Sequence, residues 1–209
     1  MRLAIHEAGH ALVACAVGDE VQAVELGDGS AYLGATCRKT YEGEANYSMA
    51  ERYILVAVAG YSAERLVCGD NEPSYCDTDM NQAWEAAAGS MALAADDQSE
   101  IQRQQELHRE RIPVQNTIWP QREEAAALLN RLEAECARLL ASRRTDLEAL
   151  AAHLETHGRC RGADISAICA GTWHFNSDEK ALSRENIDDC SRRKSWRSAS
   201  AQPDIDAQL

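Results

Sequence analysis

The feature that most constrains the fold is a pair of histidines, four residues apart, inside an apolar run near the N-terminus. The stretch HEAGHA at residues 6–11 contains His6 and His10, with Glu7 directly after the first histidine. On an α-helix, residues i and i+4 lie on the same face, so both imidazoles can point at one metal ion. The apolar flanks predict a buried helix, and Gly18 is suited to end it as a left-handed C-cap.

This spacing is typical of zinc hydrolases, although a helix that carries these residues by chance is the alternative. As ligands, His6 and His10 would leave Glu7 beside the open coordination position. There its carboxylate can take a proton from a water that the metal has acidified. Gly9 costs about 1 kcal/mol relative to alanine in mid-helix. Its presence therefore predicts close approach by another backbone or by substrate.

Composition limits the classes of partner. With 209 residues and 45% apolar content, the chain can bury one sizeable core. The 34 acidic and 21 basic residues give a net charge of −13, which opposes binding to nucleic acid or anionic membranes. Eight scattered cysteines without a C-x-x-C pair favour reduced thiols and a cytoplasmic location. No apolar stretch approaches the ~18 residues of a transmembrane helix, so direct membrane insertion is not expected.

Periodicity predicts a mainly α fold with a small β-hairpin beside the first helix. Strands are predicted at 21–26 and 31–36, joined by a turn at 27–30. A capping box at 48–51 predicts the start of a helix that ends near 67, where Gly60 allows a neighbour to pack closely. Further helices are predicted at 79–95, 96–111, 121–142, 145–157 and 163–170, the last three forming a C-terminal helical bundle. From about 176 the composition predicts a weakly ordered tail.

A zinc hydrolase needs a third protein ligand, and several residues can be considered for it or for the residues around it. Asp77 is either a ligand or the N-cap of the helix predicted at 79–95. Cys76 is either an auxiliary or inhibitory thiolate or a small buried side chain. Glu64 is either a hydrogen-bond partner of a ligand histidine or a solvated carboxylate. His153 and His157 are either a second metal site or cations near a helix C-terminus.

Four motifs in order resemble the peptidase domain of the FtsH-type, membrane-anchored AAA zinc proteases. HEAGHA at 6–11 matches the family's metal helix, and LGAT at 33–36 resembles its LGxT strand. AGYSAERLVCG at 59–69 is similar to its GGRAAEExxFG helix. CDTDMNQA at 76–83 resembles its ASNDLxQA segment, whose aspartate is the third zinc ligand. The resemblance implies a Zn²⁺ site formed by His6, His10 and Asp79, with Glu7 as the catalytic residue.

The resemblance also implies the domain organisation. Residues 1–172 would form a helical zinc-metallopeptidase domain, with a catalytic core at 1–95 and C-terminal helices at 121–172, followed by the polar tail at 173–209. The sequence departs from the family at Ala59, Tyr61 and Cys76. These departures leave the zinc set intact and concern substrate preference.

The expected function is that of a zinc-dependent endopeptidase acting on unfolded proteins or peptides. Leu33, Gly34 and Ala35 are predicted to bind substrate by strand addition, with an ordinary sheet edge as the alternative. The alternative function is a metal-stabilised, non-catalytic binding or regulatory module, and a zinc hydrolase of a non-peptide amide is a weaker third.

The partners expected beside the substrate follow from a missing motif. The sequence contains no G-x-x-x-x-G-K-[ST] phosphate loop, and five residues precede His6. Neither the family's ATPase nor its membrane anchor is therefore expected in this chain. A separate ATPase or a homo-oligomer is a possible partner.

Overall fold

A computed structural model of the protein describes residues 1–27, 34–39, 48–110, 112–113 and 121–168. It is mostly helical, with a small antiparallel sheet. The helices are α1 (Arg2–Ala16), α2 (Met49–Ala57), α3 (Ala59–Cys68), α4 (Pro73–Ala94), α5 (Gln98–Glu110), α6 (Arg122–Ser142), α7 (Arg144–His157) and α8 (Gly162–Ile168), and the strands are β1 (Glu20–Leu26), β2 (Gly34–Lys39) and β3 (Arg159–Arg161). The predicted tail at 173–209 and Leu33 lie outside the described residues.

Helix α1 lies at the centre of the core. Every residue from 4 to 15 is buried, including the three polar side chains of the HEAGHA stretch. Each fully buried large apolar side chain, such as Ile5 or Val13, contributes about 1.5–3 kcal/mol. Helices α3 and α7 pack against α1, and leucines of α6 and α7 belong to the same hydrophobic core. No described helix has both the length and the apolar character that crossing a membrane requires.

The sheet has the strand order β2-β1-β3 among the described residues, and both pairings are antiparallel. Strand β1 agrees with its prediction, and β2 contains residues 34–36 of the strand predicted at 31–36 and continues to Lys39, whereas residues 31–33 lie outside the described part of the chain. Strand β3 was missed because three residues are too few for an alternating pattern. The hairpin strand β2 therefore occupies one edge of the sheet, where it also contacts α1.

The single helix predicted from 48 to 67 is wrong. The capping box is confirmed, because the Glu51 backbone N–H donates to Ser48 Oγ at 3.2 Å and the Ser48 N–H donates to Glu51 Oε2 at 2.9 Å. However, the helix ends at Ala57 and a new one begins at Ala59, with φ −81° and ψ −2° at Val58 between them. Apolar residues run through the break, so periodicity could not reveal it.

Two other helix starts differ from prediction. Helix α4 begins at Pro73, not at 79, because proline suits the first helical position, where no N–H is needed. Asp79 therefore lies in the second turn of a helix and not at its head. Helix α7 begins at Arg144, and its N-cap carries no side-chain hydrogen bond. The predicted capping box at 145–148 does not form, and Asp146 instead pairs with the Arg143 side chain at 2.5 Å.

Candidate metal centre

Three potential metal ligands converge between α1 and α4. The Nε2 atoms of His6 and His10 lie 3.0 Å apart, and Asp79 Oδ2 lies 3.0 Å from the first and 3.2 Å from the second. A tetrahedral zinc site with bonds of about 2.0–2.1 Å has ligand atoms about 3.4 Å apart. Small side-chain shifts would therefore give these three atoms the spacing of one face of such a site. The chain thus contains a group of residues that could hold a metal ion.

Asp77 and Asp79 both lie within α4, so only one of them can face the histidines. Two residues that are two positions apart on an α-helix are rotated by about 200° around its axis, so their side chains lie on nearly opposite faces. Asp79 faces α1 with its side chain 22% exposed, whereas Asp77 is on the exposed face. The interpretation of Asp77 as the N-cap is wrong, because the helix already contains four residues before it.

His6 is oriented by Glu64 on α3. The Glu64 side chain is fully buried, and its Oε1 lies 2.7 Å from His6 Nδ1. Its Oε2 accepts the Glu72 backbone N–H at 2.8 Å. A carboxylate that accepts the Nδ1–H of an imidazole leaves the Nε2 lone pair for a metal, which is a common arrangement around ligand histidines. The interpretation of Glu64 as a solvated carboxylate is therefore wrong.

Cys76 lies on the Glu64 side of the His6 ring. Its Sγ is 3.6 Å from Glu64 Oε1, and the residue is 3% exposed. His6, Glu64 and Cys76 form a second group with metal-binding atom types, and this group shares His6 with the first. Because Glu64 forms a hydrogen bond with His6, we interpret Glu64 and Cys76 as residues that position the His6 ring.

His10 is oriented by a backbone carbonyl in the last turn of α2. Its Nδ1 lies 2.7 Å from the carbonyl oxygen of Val56. Val56 belongs to the last turn of α2, where its carbonyl oxygen accepts a backbone N–H of the C-cap and keeps a second acceptor position. The Nδ1–H can donate to this oxygen, and Nε2 then faces His6 and Asp79.

The charges of the cluster are those of a cation site. Burial alone lowers the pKa of His6, but hydrogen bonds with Asp79, Cys76 and Glu64 outweigh it and raise the pKa to about 11. Burial raises the pKa of Asp79, but its contacts with His10 and His6 outweigh that and hold the pKa well below the usual range. Without a metal, these hydrogen bonds therefore favour the protonated form of the His6 imidazole. A divalent cation would replace that proton in the same carboxylate-lined position.

Glu7 lies against β2 and outside the group of three ligands. The Thr36 hydroxyl is 3.3 Å from Glu7 Oε2, and Glu7 is 6% exposed. A Cβ atom at Gly34 would lie 2.6 Å from Glu7 Cδ. Gly34, predicted to bind substrate, therefore also provides the space that the Glu7 carboxylate occupies.

Two glycines let α3 approach the metal helix. A Cβ atom on Gly9 would lie 2.7 Å from the Ala59 carbonyl oxygen and 2.6 Å from Ala63 Cβ. The predicted close approach of another backbone at Gly9 is confirmed. The neighbour predicted to pack on Gly60 is the His6 ring, since a Cβ atom there would lie 2.5 Å from His6 Nε2.

We expect Gly60→Ala to lower metal affinity by about 10-fold or more, because the new methyl group must displace the His6 ring from its orientation. Equilibrium dialysis against zinc measures the change. The matched control is Gly89→Ala on α4, where a Cβ atom would meet only Gln104 Oε1, at 3.8 Å. That variant should keep the metal and gain about 0.5–1 kcal/mol of unfolding free energy. Equal zinc affinity in both variants would contradict this account of Gly60.

The structure brings His6, His10 and Asp79 together and places the Glu7 carboxylate against Gly34 and Thr36 of β2. Of the predicted substrate-binding residues, Leu33 and the Ala35 side chain lie outside what is described. Sequence reasoning missed the Val56 carbonyl, for which no side-chain pattern exists, and the hydroxyl of Thr36, which its place in LGAT could have suggested.

No protein-family model matches the chain, and a search of curated proteins finds no match either.

Proposed function

We propose that this protein is a zinc-dependent endopeptidase with a site of the FtsH type. The observation that carries the proposal is the placement of Glu7. Glu7 directly follows the ligand His6 in α1, its carboxylate accepts the Thr36 hydroxyl of β2 at 3.3 Å, and it is not one of the three grouped ligands. This combination of three ligands with an adjacent carboxylate base is what metal-assisted hydrolysis requires.

The choice of zinc rests on the donor atoms. Two imidazole nitrogens and one carboxylate oxygen, with a fourth position open, form the ligand set of many catalytic zinc sites. When bound, zinc acts as a Lewis acid that polarises a carbonyl oxygen and lowers the pKa of a coordinated water. Both histidines would bind the ion through Nε2. The Nδ1 atom of His6 contacts Glu64, and that of His10 contacts the Val56 carbonyl oxygen.

Glu7 would act first as the general base and then as the general acid. One carboxylate oxygen takes a proton from the attacking water, and the same carboxylic acid then gives it to the leaving amine nitrogen. The Thr36 hydroxyl donates to Glu7 Oε2, which orients the carboxylate for this transfer. A metal-stabilised binding module would need the three ligands but no base, so this supported carboxylate favours the enzyme over the alternative.

The sheet edge favours an extended polypeptide as substrate. Strand β2 pairs with β1 on one side, and its residues Gly34 and Thr36 lie against Glu7. A peptide that adds to the other side of β2 would pass close to the Glu7 carboxylate. Only an unfolded or flexible segment can offer its backbone in this way. Folded proteins protect their peptide bonds with about 5–15 kcal/mol of stability.

We expect the zinc-loaded chain to cleave a reduced, alkylated protein. The cleavage rate of the same protein in its native fold should be lower by at least about 10³-fold. Gel electrophoresis and mass spectrometry of the products measure both rates. Chelation should stop cleavage, and added zinc should restore it. ATP should have no effect on the purified chain, because the sequence contains no phosphate loop. Equal cleavage of folded and unfolded substrate, or activity that survives chelation, would refute the proposal.

A further inference from the structure

A second group of metal-binding side chains lies where α7, β3 and α8 meet. His153 is on α7, Cys160 is on β3 and Asp164 is on α8. One donor atom from each residue lies within 4.8 Å of the other two. We propose that these residues form a second metal site, selective for zinc and similar divalent transition metals. It shares no residue with the first centre.

The donor set suits such a metal. A histidine nitrogen, a cysteine sulfur and a carboxylate oxygen are all ligands of Zn²⁺, and a thiolate disfavours Mg²⁺ and Ca²⁺. A thiolate and a carboxylate together carry the two negative charges that balance a divalent ion. Cys160 is 1% exposed, whereas His153 is partly exposed and Asp164 is exposed. The site therefore has a buried sulfur and an open side through which an ion can enter.

The backbone holds the three residues in place. Helix α7 ends at His157, and its C-cap Gly158, with a φ of 69°, turns the chain into β3. Cys160 pairs with Val24 of the central strand. A Cβ atom at Gly162 would lie 2.5 Å from the carbonyl oxygen of Val21, so only glycine lets α8 start this close to β1. Asp164 is thereby fixed near Cys160.

Asp164 already has one local role, and that role is compatible with metal binding. Its Oδ2 accepts the Arg161 backbone N–H at 3.1 Å, and a carboxylate has further acceptor positions.

His153 and His157 on α7 were considered together as a second metal site, but only His153 belongs to the group described above. The rings of His153 and His157 stack at 4.2 Å, and His157 Nδ1 bonds to the His153 carbonyl oxygen at 3.0 Å. The structure thus groups His153 with Cys160 and Asp164, and water can complete four-coordination.

A cobalt titration of the metal-free, full-length chain tests the site. We expect about two Co²⁺ ions per chain, the usual zinc substitute in both sites. The first centre offers only nitrogen and oxygen donors, so sulfur-to-cobalt charge-transfer absorption in the near ultraviolet reports on a cysteine. Cys160→Ala should abolish this absorption and leave about one Co²⁺ per chain. His153→Gln and Asp164→Asn should weaken the absorbing site by about 10-fold or more.

Further variants distinguish loss of this site from misfolding and from changes at the first centre. Asp164→Asn retains an oxygen that can accept the Arg161 N–H, and His153 is partly exposed, so these two variants carry the test if Cys160→Ala does not fold. His108→Gln on the exposed face of α5 is the matched histidine control and should keep both ions. Cys76→Ser should keep the absorption, because Cys76 belongs to the Glu64 group. No sulfur-to-cobalt absorption in the unaltered chain, absorption that survives Cys160→Ala, or its loss in Cys76→Ser would overturn the proposal.

Discussion

Replacing Glu7 with glutamine will lower the hydrolysis of an unfolded substrate by about 10²- to 10⁴-fold, the usual contribution of a general base. The amide has the shape of the carboxylate and can still accept the Thr36 hydroxyl, but it cannot take a proton from water. Zinc should remain bound, because Glu7 is not among the three grouped ligands. Initial rates on a reduced, alkylated protein, together with zinc content and circular dichroism, measure these effects.

The matched control is Glu148→Gln on α7, where the side chain is 49% exposed and pairs with Arg144. It removes the same charge far from the described site in sequence and should leave turnover unchanged. Undiminished hydrolysis in Glu7→Gln would place the base elsewhere. A non-catalytic module predicts no hydrolysis even in the unaltered, zinc-loaded chain, and that result would favour the alternative function.

Replacing Asp79 with alanine will remove zinc at concentrations that saturate the unaltered protein. Loss of an outer partner of a ligand already costs about 10- to 100-fold in metal affinity, and loss of a ligand should cost more. The change also removes the carboxylate that lies 3.0 Å from His6 and 3.2 Å from His10. Competition with a chromophoric chelator measures the dissociation constant, and hydrolysis should disappear with the metal.

Asp77→Ala is the control for this variant. It removes a carboxylate two residues away on the same helix, but from the exposed face of α4. Zinc affinity and turnover should therefore stay within a factor of about two of the unaltered protein, as expected of an exposed surface substitution. If Asp77→Ala lost the metal and Asp79→Ala kept it, the ligand assignment would be reversed.

Local sequence was sufficient for the features that depend on residues close together in the chain. The spacing of His6 and His10 places both on one face of any α-helix, and the predicted helix is the observed one to within a few residues. The Ser48 capping box forms as predicted because its two hydrogen bonds join residues three apart. The predicted close approach at Gly9 followed from the cost of glycine in a helix, although its partner did not.

Tertiary structure decided which distant groups complete the site. Asp77 and Asp79 both lie within α4, and the orientation of this helix turns Asp79 toward the histidines and Asp77 toward solvent. Glu64 on α3 contacts His6, and the Val56 carbonyl in the last turn of α2 contacts His10. Residues 46 to 73 positions apart in the chain make these contacts. Hydrophobic periodicity specifies which face of each helix is buried, but the relative positions of helices arise from the packing of the whole core.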